Sequence, residues 1–142
     1  MEYIKEYMDF AIFGILGLMS VLSVAYAIER FIFYTRYNLD DYKEVNEFEN
    51  DLTKNLTTLS IIGSNAPYVG LLGTVIGVMV TFYDMGSGGG IDTNAILVGL
   101  SLALKATAAG LLVAIPTLMI YTACLRKVDV GIARFKAKKN AS

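Results

Sequence analysis

The chain has 142 residues, enough for one compact domain or a few membrane spans. Apolar residues make up 55% and charged residues only 18%, a balance typical of membrane proteins, and the formal net charge is -1. Histidine is absent and Cys124 is the one cysteine, which excludes His-based catalytic triads, His-containing zinc sites and disulfides within the chain. We expect no enzymatic activity, no metal and no other cofactor.

The first apolar stretch, residues 10–28, holds 19 uncharged residues, about 28 Å of helix and enough to cross a bilayer. A secretory signal is the alternative, because Ala25-Tyr26-Ala27 resembles a cleavage site. The acidic segment before the stretch and its length favour a retained span. Gly14, Gly17 and Ser20 lie along it, which favours close contact with another helix.

The loop at 29–60 is polar and predicts an amphipathic helix over residues 40–59. Apolar side chains recur there at steps of three and four: Tyr42, Val45, Phe48, Leu52 and Leu56. The polar face is mainly acidic, which disfavours binding to anionic lipid. We therefore expect this helix to pack against other helical segments of the protein.

The second span is predicted at 61–83. Pro67 predicts a kink, or a late start of the membrane crossing. Gly70, Gly73 and Gly77 follow, and the last two form a small-residue motif that favours close packing between membrane helices.

A glycine-rich segment at 84–92 then predicts a short flexible hairpin between antiparallel spans. It lacks the Gly-Lys-Ser/Thr ending of a phosphate-binding loop. The third span is predicted at 94–121, and the helix is expected to continue into the tail at 122–142. This span contains Lys105, a costly charge, and Pro116, which predicts a second kink.

The distribution of cations predicts the orientation. The loop at 29–60 holds four Lys or Arg residues and the tail holds six, whereas the hairpin has none. Positive residues stay inside, so the chain should run N-out and C-in with three crossings. The sequence thus predicts a single all-α membrane domain over residues 1–142, with cytoplasmic helical extensions. Topology accounts for the basic tail, and no nucleic-acid binding is expected.

Two segments resemble a known family. Residues 70–77, GLLGTVIG, are similar to a signature of the ExbB/TolQ/MotA proton-channel proteins, and residues 99–116, GLSLALKATAAGLLVAIP, are similar to the pattern of its third span. Glu29-Arg30 after the first span fits as well. Three spans resemble ExbB or TolQ more than the four-span flagellar MotA type.

The resemblance implies a subunit of the cytoplasmic membrane that forms a pentamer around a dimer of ExbD-type single-span helices. Such complexes use the proton motive force to drive TonB-linked outer-membrane transport, or Tol–Pal function in the TolQ branch. Family threonines that line the central cavity correspond to Thr74 and Thr107. We add Ser101 and Lys105 as candidates for the proton path, and Gly110 to the packing glycines.

Two features depart from the family pattern. The glutamate that many ExbB proteins carry in the third span corresponds to Leu102, and the loop is only about 30 residues long. This subunit is therefore not expected to supply a carboxylate to the proton path, and it represents a minimal form.

Lys105 has two possible depths. In a span of residues 106–125 it would lie at the outer interface. A span that begins near Thr93 places it about 18 Å into the membrane and keeps the apolar residues 96–100 out of water. We predict the deeper position. No acid of this chain is expected within reach, so Lys105 should be neutral or paired with an acid on the ExbD-type helix.

Two alternatives stay open at this point. Thr74 and Thr107 could hydrogen-bond the carbonyl four residues earlier in their own helices instead of lining a cavity. The whole chain could be a membrane scaffold without ion coupling. A scaffold would not need a cation in one span or hydroxyl groups in two.

Overall fold

The computed structural model describes residues 2–87 and 92–141. The long helices are α1 at Glu2–Arg36, α3 at Leu56–Ser87 and α4 at Thr93–Ala141, and the short helix α2 is at Val45–Leu52. A single 3-10 turn at Leu39–Asp41 precedes α2. No strand occurs in the described part of the chain. Residues 88–91 of the predicted hairpin at 84–92 lie outside the described residues, and residues 84–87 belong to α3.

The three long helices are each long and apolar enough to cross a membrane. The predicted all-α fold with three such helices is thereby confirmed. Both prolines, Pro67 and Pro116, lie inside continuous helices and end neither of them. The tail also continues as helix, because α4 runs without interruption to Ala141.

The amphipathic helix predicted over residues 40–59 does not form as one piece. The helical segment α2 ends at Leu52, and α3 begins four residues later. Between them Asn55 has a φ of 68°, in the left-handed region that asparagine tolerates better than most residues. This turn lets α2 fold back against α1 and α4 while α3 continues in another direction.

The apolar side chains of this segment nevertheless pack as predicted. They form one cluster with side chains from α1, α3 and the tail half of α4, here called the loop cluster. Its buried members are Phe48, Leu52, Leu56, Leu59, Cys124, Val128 and Phe135. The rings of Phe48 and Phe135 stack with centroids 5.3 Å apart. Above them, burial and a hydrogen bond to Asp51 raise the pKa of Tyr42 to about 12. Lys138 of the tail pairs with Asp40 at the surface.

The second and third long helices pack antiparallel along a common seam. Gly77 faces Ala103, Gly73 faces Ala106, and Gly63 faces Leu118 near the loop end. The residue number rises on one helix as it falls on the other, which fixes the register over about four turns.

The first helix runs parallel to the fourth, with a constant offset. The hydroxyl groups of Ser23 and Thr117 lie 2.6 Å apart, and these residues are separated by 94 positions. Ile12 and Ala106 differ by the same number, and both face Gly73. A residue of α1 is therefore level with the residue of α4 that lies 94 positions later.

This offset changes the membrane picture drawn from the sequence. The beginning of α4, up to about residue 103, is level with the charged segment of α1 before Phe10. A membrane layer that contained all of residues 94–121 would also contain Glu6 and Asp9. Asp9 is level with Ala103, two positions from Lys105. The prediction that no acid of this chain lies within reach of Lys105 stays a prediction.

Candidate functional site

Helices α3 and α4 approach closely because glycines, which have no side chain, lie at their contact. A methyl group built on Gly70 would lie 2.5 Å from the carbonyl oxygen of Ala106, and one on Gly77 would lie 2.7 Å from the Cβ of Ala103. Gly73 and Gly110 are equally crowded, at 2.7 Å from the Cβ of Ala106 and 2.6 Å from the oxygen of Ala66. The four glycines proposed for packing thus all lie between helices of the same chain.

The two threonines of the family signatures meet at this seam. The hydroxyl groups of Thr74 and Thr107 contact each other directly. The Thr74 hydroxyl also lies 2.9 Å from the carbonyl oxygen of Ala103, against 3.4 Å from that of Gly70 in its own helix. Because each hydroxyl has one proton, Thr74 donates to Ala103 and Thr107 donates to Thr74. The result is a short chain of hydrogen bonds from one helix to the other.

The hydroxyl groups of Thr74 and Thr107 are accessible from outside the α3–α4 seam. Both threonine side chains are half-buried, whereas the neighbouring Ala103 and Ala106 are buried in the seam. Ala109, two positions after Thr107, packs in the cluster that includes Ile12 of α1. Two positions on a helix are about 200° apart, so Thr107 faces away from α1. A partner that approached α3 and α4 from that side would meet the two hydroxyl groups.

The other two candidates lie elsewhere on α4. Ser101 and Lys105 are four positions apart and share one exposed face. Lys105 is two positions from Thr107 and so points to nearly the opposite side of the helix. The structure therefore does not bring Lys105 to the threonine pair. Its pairing with an acid on a partner helix stays a prediction, and that acid would have to lie on this second face.

One buried polar contact was not foreseen from the sequence. Ser23 and Thr117 are each 3% exposed, and their hydroxyl groups join α1 to α4. The Thr117 hydroxyl lies 2.7 Å from the carbonyl oxygen of Val113, to which it donates. Ser23 then donates to Thr117. Both residues are ordinary small polar residues in the sequence, and only the offset between the helices reveals that they meet.

Arg30 is a third residue whose contacts the sequence did not show. It is 1% exposed and donates to the carbonyl oxygens of Asp51 and Leu52 at 2.5 and 3.1 Å. Two further donors meet the carboxylate of Glu29, each at 2.6 Å. Its guanidinium also lies 4.5 Å from the centre of the Phe33 ring. Arg30 thus supplies partners for carbonyls at the end of α2 that the helix itself leaves open.

Comparison with known proteins now adds to this geometry. A sequence model of the MotA/TolQ/ExbB proton channel family matches residues 33–137. The chain belongs to this family. The match includes the whole of α3 and all of α4 except its last few residues, and therefore the glycine seam and both threonines of this family member.

Individual relatives cover almost the whole chain. A protein named biopolymer transport protein ExbB from Helicobacter pylori is 55% identical, over 98% of this chain and 96% of its own. A protein of the same name from Aquifex aeolicus is 48% identical, over 96% and 93%. The putative biopolymer transport protein ExbB-like 2 of Helicobacter pylori is 50% identical, over 92% and 87%. The family member described here is thus a short, ExbB-like protein, similar in length to these relatives.

Proposed function

We propose that this protein is a proton-channel subunit of an ExbB–ExbD–TonB-type complex, which uses the proton motive force to energise active transport across the outer membrane. The observation that carries the proposal is the hydrogen-bonded pair Thr74–Thr107. It lies at the seam of the two helices that match the family signatures, and it is accessible on the side away from α1.

The charge content of the two helices supports the need for a partner. Residues 56–83 contain no charged side chain, and residues 93–125 contain only Lys105. Hydroxyl groups can pass a proton along but do not hold one as a carboxylate does at ordinary pH. Neither of these two helices supplies such a carboxylate, and we propose that it comes from another chain. A dimer of single-span ExbD-type helices, held in the centre of a pentamer of this chain, would bring that acid to Thr74 and Thr107.

The surface is consistent with assembly in a membrane. Large apolar side chains are exposed along both helices that carry the site, among them Leu72, Met79, Leu104 and Leu112, which are 51–74% exposed. In a bilayer such positions contact lipid or another helix. We place the protein in the bacterial inner membrane as a multi-pass subunit, N-out and C-in, with a TonB-type protein as the further partner.

A TolQ-type role in a Tol–Pal system is the alternative within the family. The names of the relatives that cover most of the chain favour the ExbB role. A scaffold without ion coupling is the alternative outside that mechanism. Packing alone would not require a chain of hydroxyl groups that is open to a partner.

The proposal can be tested by reconstitution. The protein is purified from membranes together with an ExbD-type partner and placed in liposomes that carry a pH gradient and a pH-sensitive dye. We expect co-purification and proton flux that requires both proteins. Co-purification without any flux, or without outer-membrane uptake in a host that lacks its own ExbB, would favour the scaffold. Restoration of Tol–Pal function alone would favour the TolQ role.

A further inference from the structure

Lys105 is a cation that needs a counter-ion. It is the only charged residue between Thr93 and Leu125, and its side chain is exposed. Among the described residues, no acid lies within 4.0 Å of it. A lone ammonium group on a membrane helix is unfavourable, and such residues usually pair with an acid.

The offset between α1 and α4 identifies an acid at the right level. With 94 positions between level residues, Lys105 is level with Ala11. Asp9 is two positions away, which is about 3 Å along the helix axis. Glu6 is five positions away, about 7.5 Å. The flexible four-carbon stem of lysine can span the smaller displacement.

The helical repeat relates Asp9 and Lys105 to two residues that line the groove between α1 and α4. Near the loop end this groove is lined by Ala27 of α1 and Ala123 of α4. Asp9 and Lys105 each lie 18 positions before these alanines, which is about five complete turns. By this repeat they lie on the same faces of α1 and α4 as the two alanines, five turns before them.

The other acids of the chain are less suited to pair with Lys105. Glu29 is held by Arg30 at the opposite end of α1. Asp84 and Asp92 lie beside Ile96, nine positions from Lys105. On α1, Glu6 lies a further turn away than Asp9, and its side chain is exposed where that of Asp9 is half-buried.

We propose that Asp9 is the counter-ion of Lys105, and that the two side chains form an ion pair across the α1–α4 groove of a single chain. The pair forms by rotation of the lysine stem towards α1. It holds at either depth considered for Lys105, because the two residues are level wherever the membrane lies. It fixes the half of α1 that Arg30 does not reach. The proposal is independent of proton coupling.

A double-mutant cycle on the purified protein tests the pair. Asp9→Asn and Lys105→Met should each lower the melting temperature by roughly 2–8 °C, because each leaves one charge without its partner. The double variant should lose much less than the sum of the two. Glu6→Gln, combined with Lys105→Met, is the matched control and should be additive. Additive losses for Asp9 and Lys105 would overturn the proposal and favour an acid on a partner chain.

A cross-linking experiment gives a second readout that does not depend on stability. Asp9→Cys and Lys105→Cys are combined in a Cys124→Ala background and treated with a short bifunctional thiol reagent in membranes. We expect efficient linkage at the mass of a single chain. Gly14→Cys with Lys105→Cys is the control, because Gly14 lies at a similar level on an open face of α1. Linkage mainly between chains, or equal yields for Asp9 and Gly14, would contradict the proposal.

Discussion

At the scale of single residues, the threonine pair shows how a hydroxyl group can serve two helices at once. Thr74 could have bonded the carbonyl of Gly70 in its own helix, but that distance is 3.4 Å, against 2.9 Å to Ala103. The hydroxyl therefore points across the seam. The bond from Thr107 completes the connection. A hydroxyl group in a row of linked hydrogen bonds can exchange its donor and acceptor roles by rotation of its O–H bond, without movement of a heavy atom.

This leads to a prediction for the hydroxyl groups. Thr74→Val and Thr107→Val, singly and together, keep the shape of the side chain and remove the hydroxyl. We expect the oligomer to assemble normally and proton-driven uptake to fall at least tenfold in the double variant, because the connecting hydrogen bonds are gone. Uptake in energised cells and the mass of the detergent-solubilised oligomer are the two measurements.

The matched control uses a hydroxyl away from the seam. Thr122→Val removes an exposed hydroxyl of α4 outside the seam, and its effect on uptake should be small. Full activity in the double threonine variant would show that these hydroxyl groups serve only local structure.

Arg30 gives a second prediction at this scale. Arg30→Lys keeps the charge but cannot donate at once to Glu29 and to the carbonyls of Asp51 and Leu52. Because the site is 1% exposed, we expect a loss of about 2–4 kcal/mol in the free energy of unfolding. Thermal unfolding of the purified protein measures this. The exposed Arg36→Lys is the control, and an equal effect of both changes would contradict the role assigned to Arg30.

At the scale of helices, the seam and the open face of α1 offer a direct comparison. A methyl group on Gly77 would collide with the Cβ of Ala103, whereas one on Gly14 or Gly17 would meet nothing within 4 Å. The sequence assigned all three to close helix contact. Within the chain this is true of Gly77 only, because α1 packs through the face that carries Ile12 and Ser23.

The comparison gives a third prediction. Gly77→Ala should destabilise the protein by about 1–3 kcal/mol, since α3 and α4 would have to move apart. Gly14→Ala should instead be neutral or stabilise it by up to about 1 kcal/mol, because alanine favours helix more than glycine does. Thermal unfolding of the two single variants measures the difference. Equal effects would mean that the seam can open without cost.

The same helices show what can be read from the sequence and what cannot. Apolar runs located three long helices, because burial in a membrane imposes a simple composition on each of them. The turn at Asn55 was missed, since the helical spacing of Phe48, Leu52 and Leu56 continues across it. The meeting of Ser23 with Thr117 was also missed. Spacing along one helix carries no information about its offset from another.

At the scale of the whole molecule, the positive residues predict the orientation in the membrane. A periplasmic reporter fused after Ser87 should be active, and a cytoplasmic reporter fused after Asn50 should also be active. Exchanging the two reporters should abolish both signals. The reverse pattern would place the loop cluster on the outer side and would contradict the proposed coupling of this subunit to a proton gradient.

The length of α4 has a mechanical consequence. It is one helix of 49 residues, about 73 Å, and it carries Thr107 in one half and Phe135 in the other. Because α4 continues through Pro116 without a break, the hydroxyl pair and the loop cluster are joined by one helix. One residue inserted after Leu125 would turn the tail out of phase by about 100° and swing Phe135 away from Phe48. The continuity of α4 therefore fixes the rotational phase between the hydroxyl pair and the loop cluster.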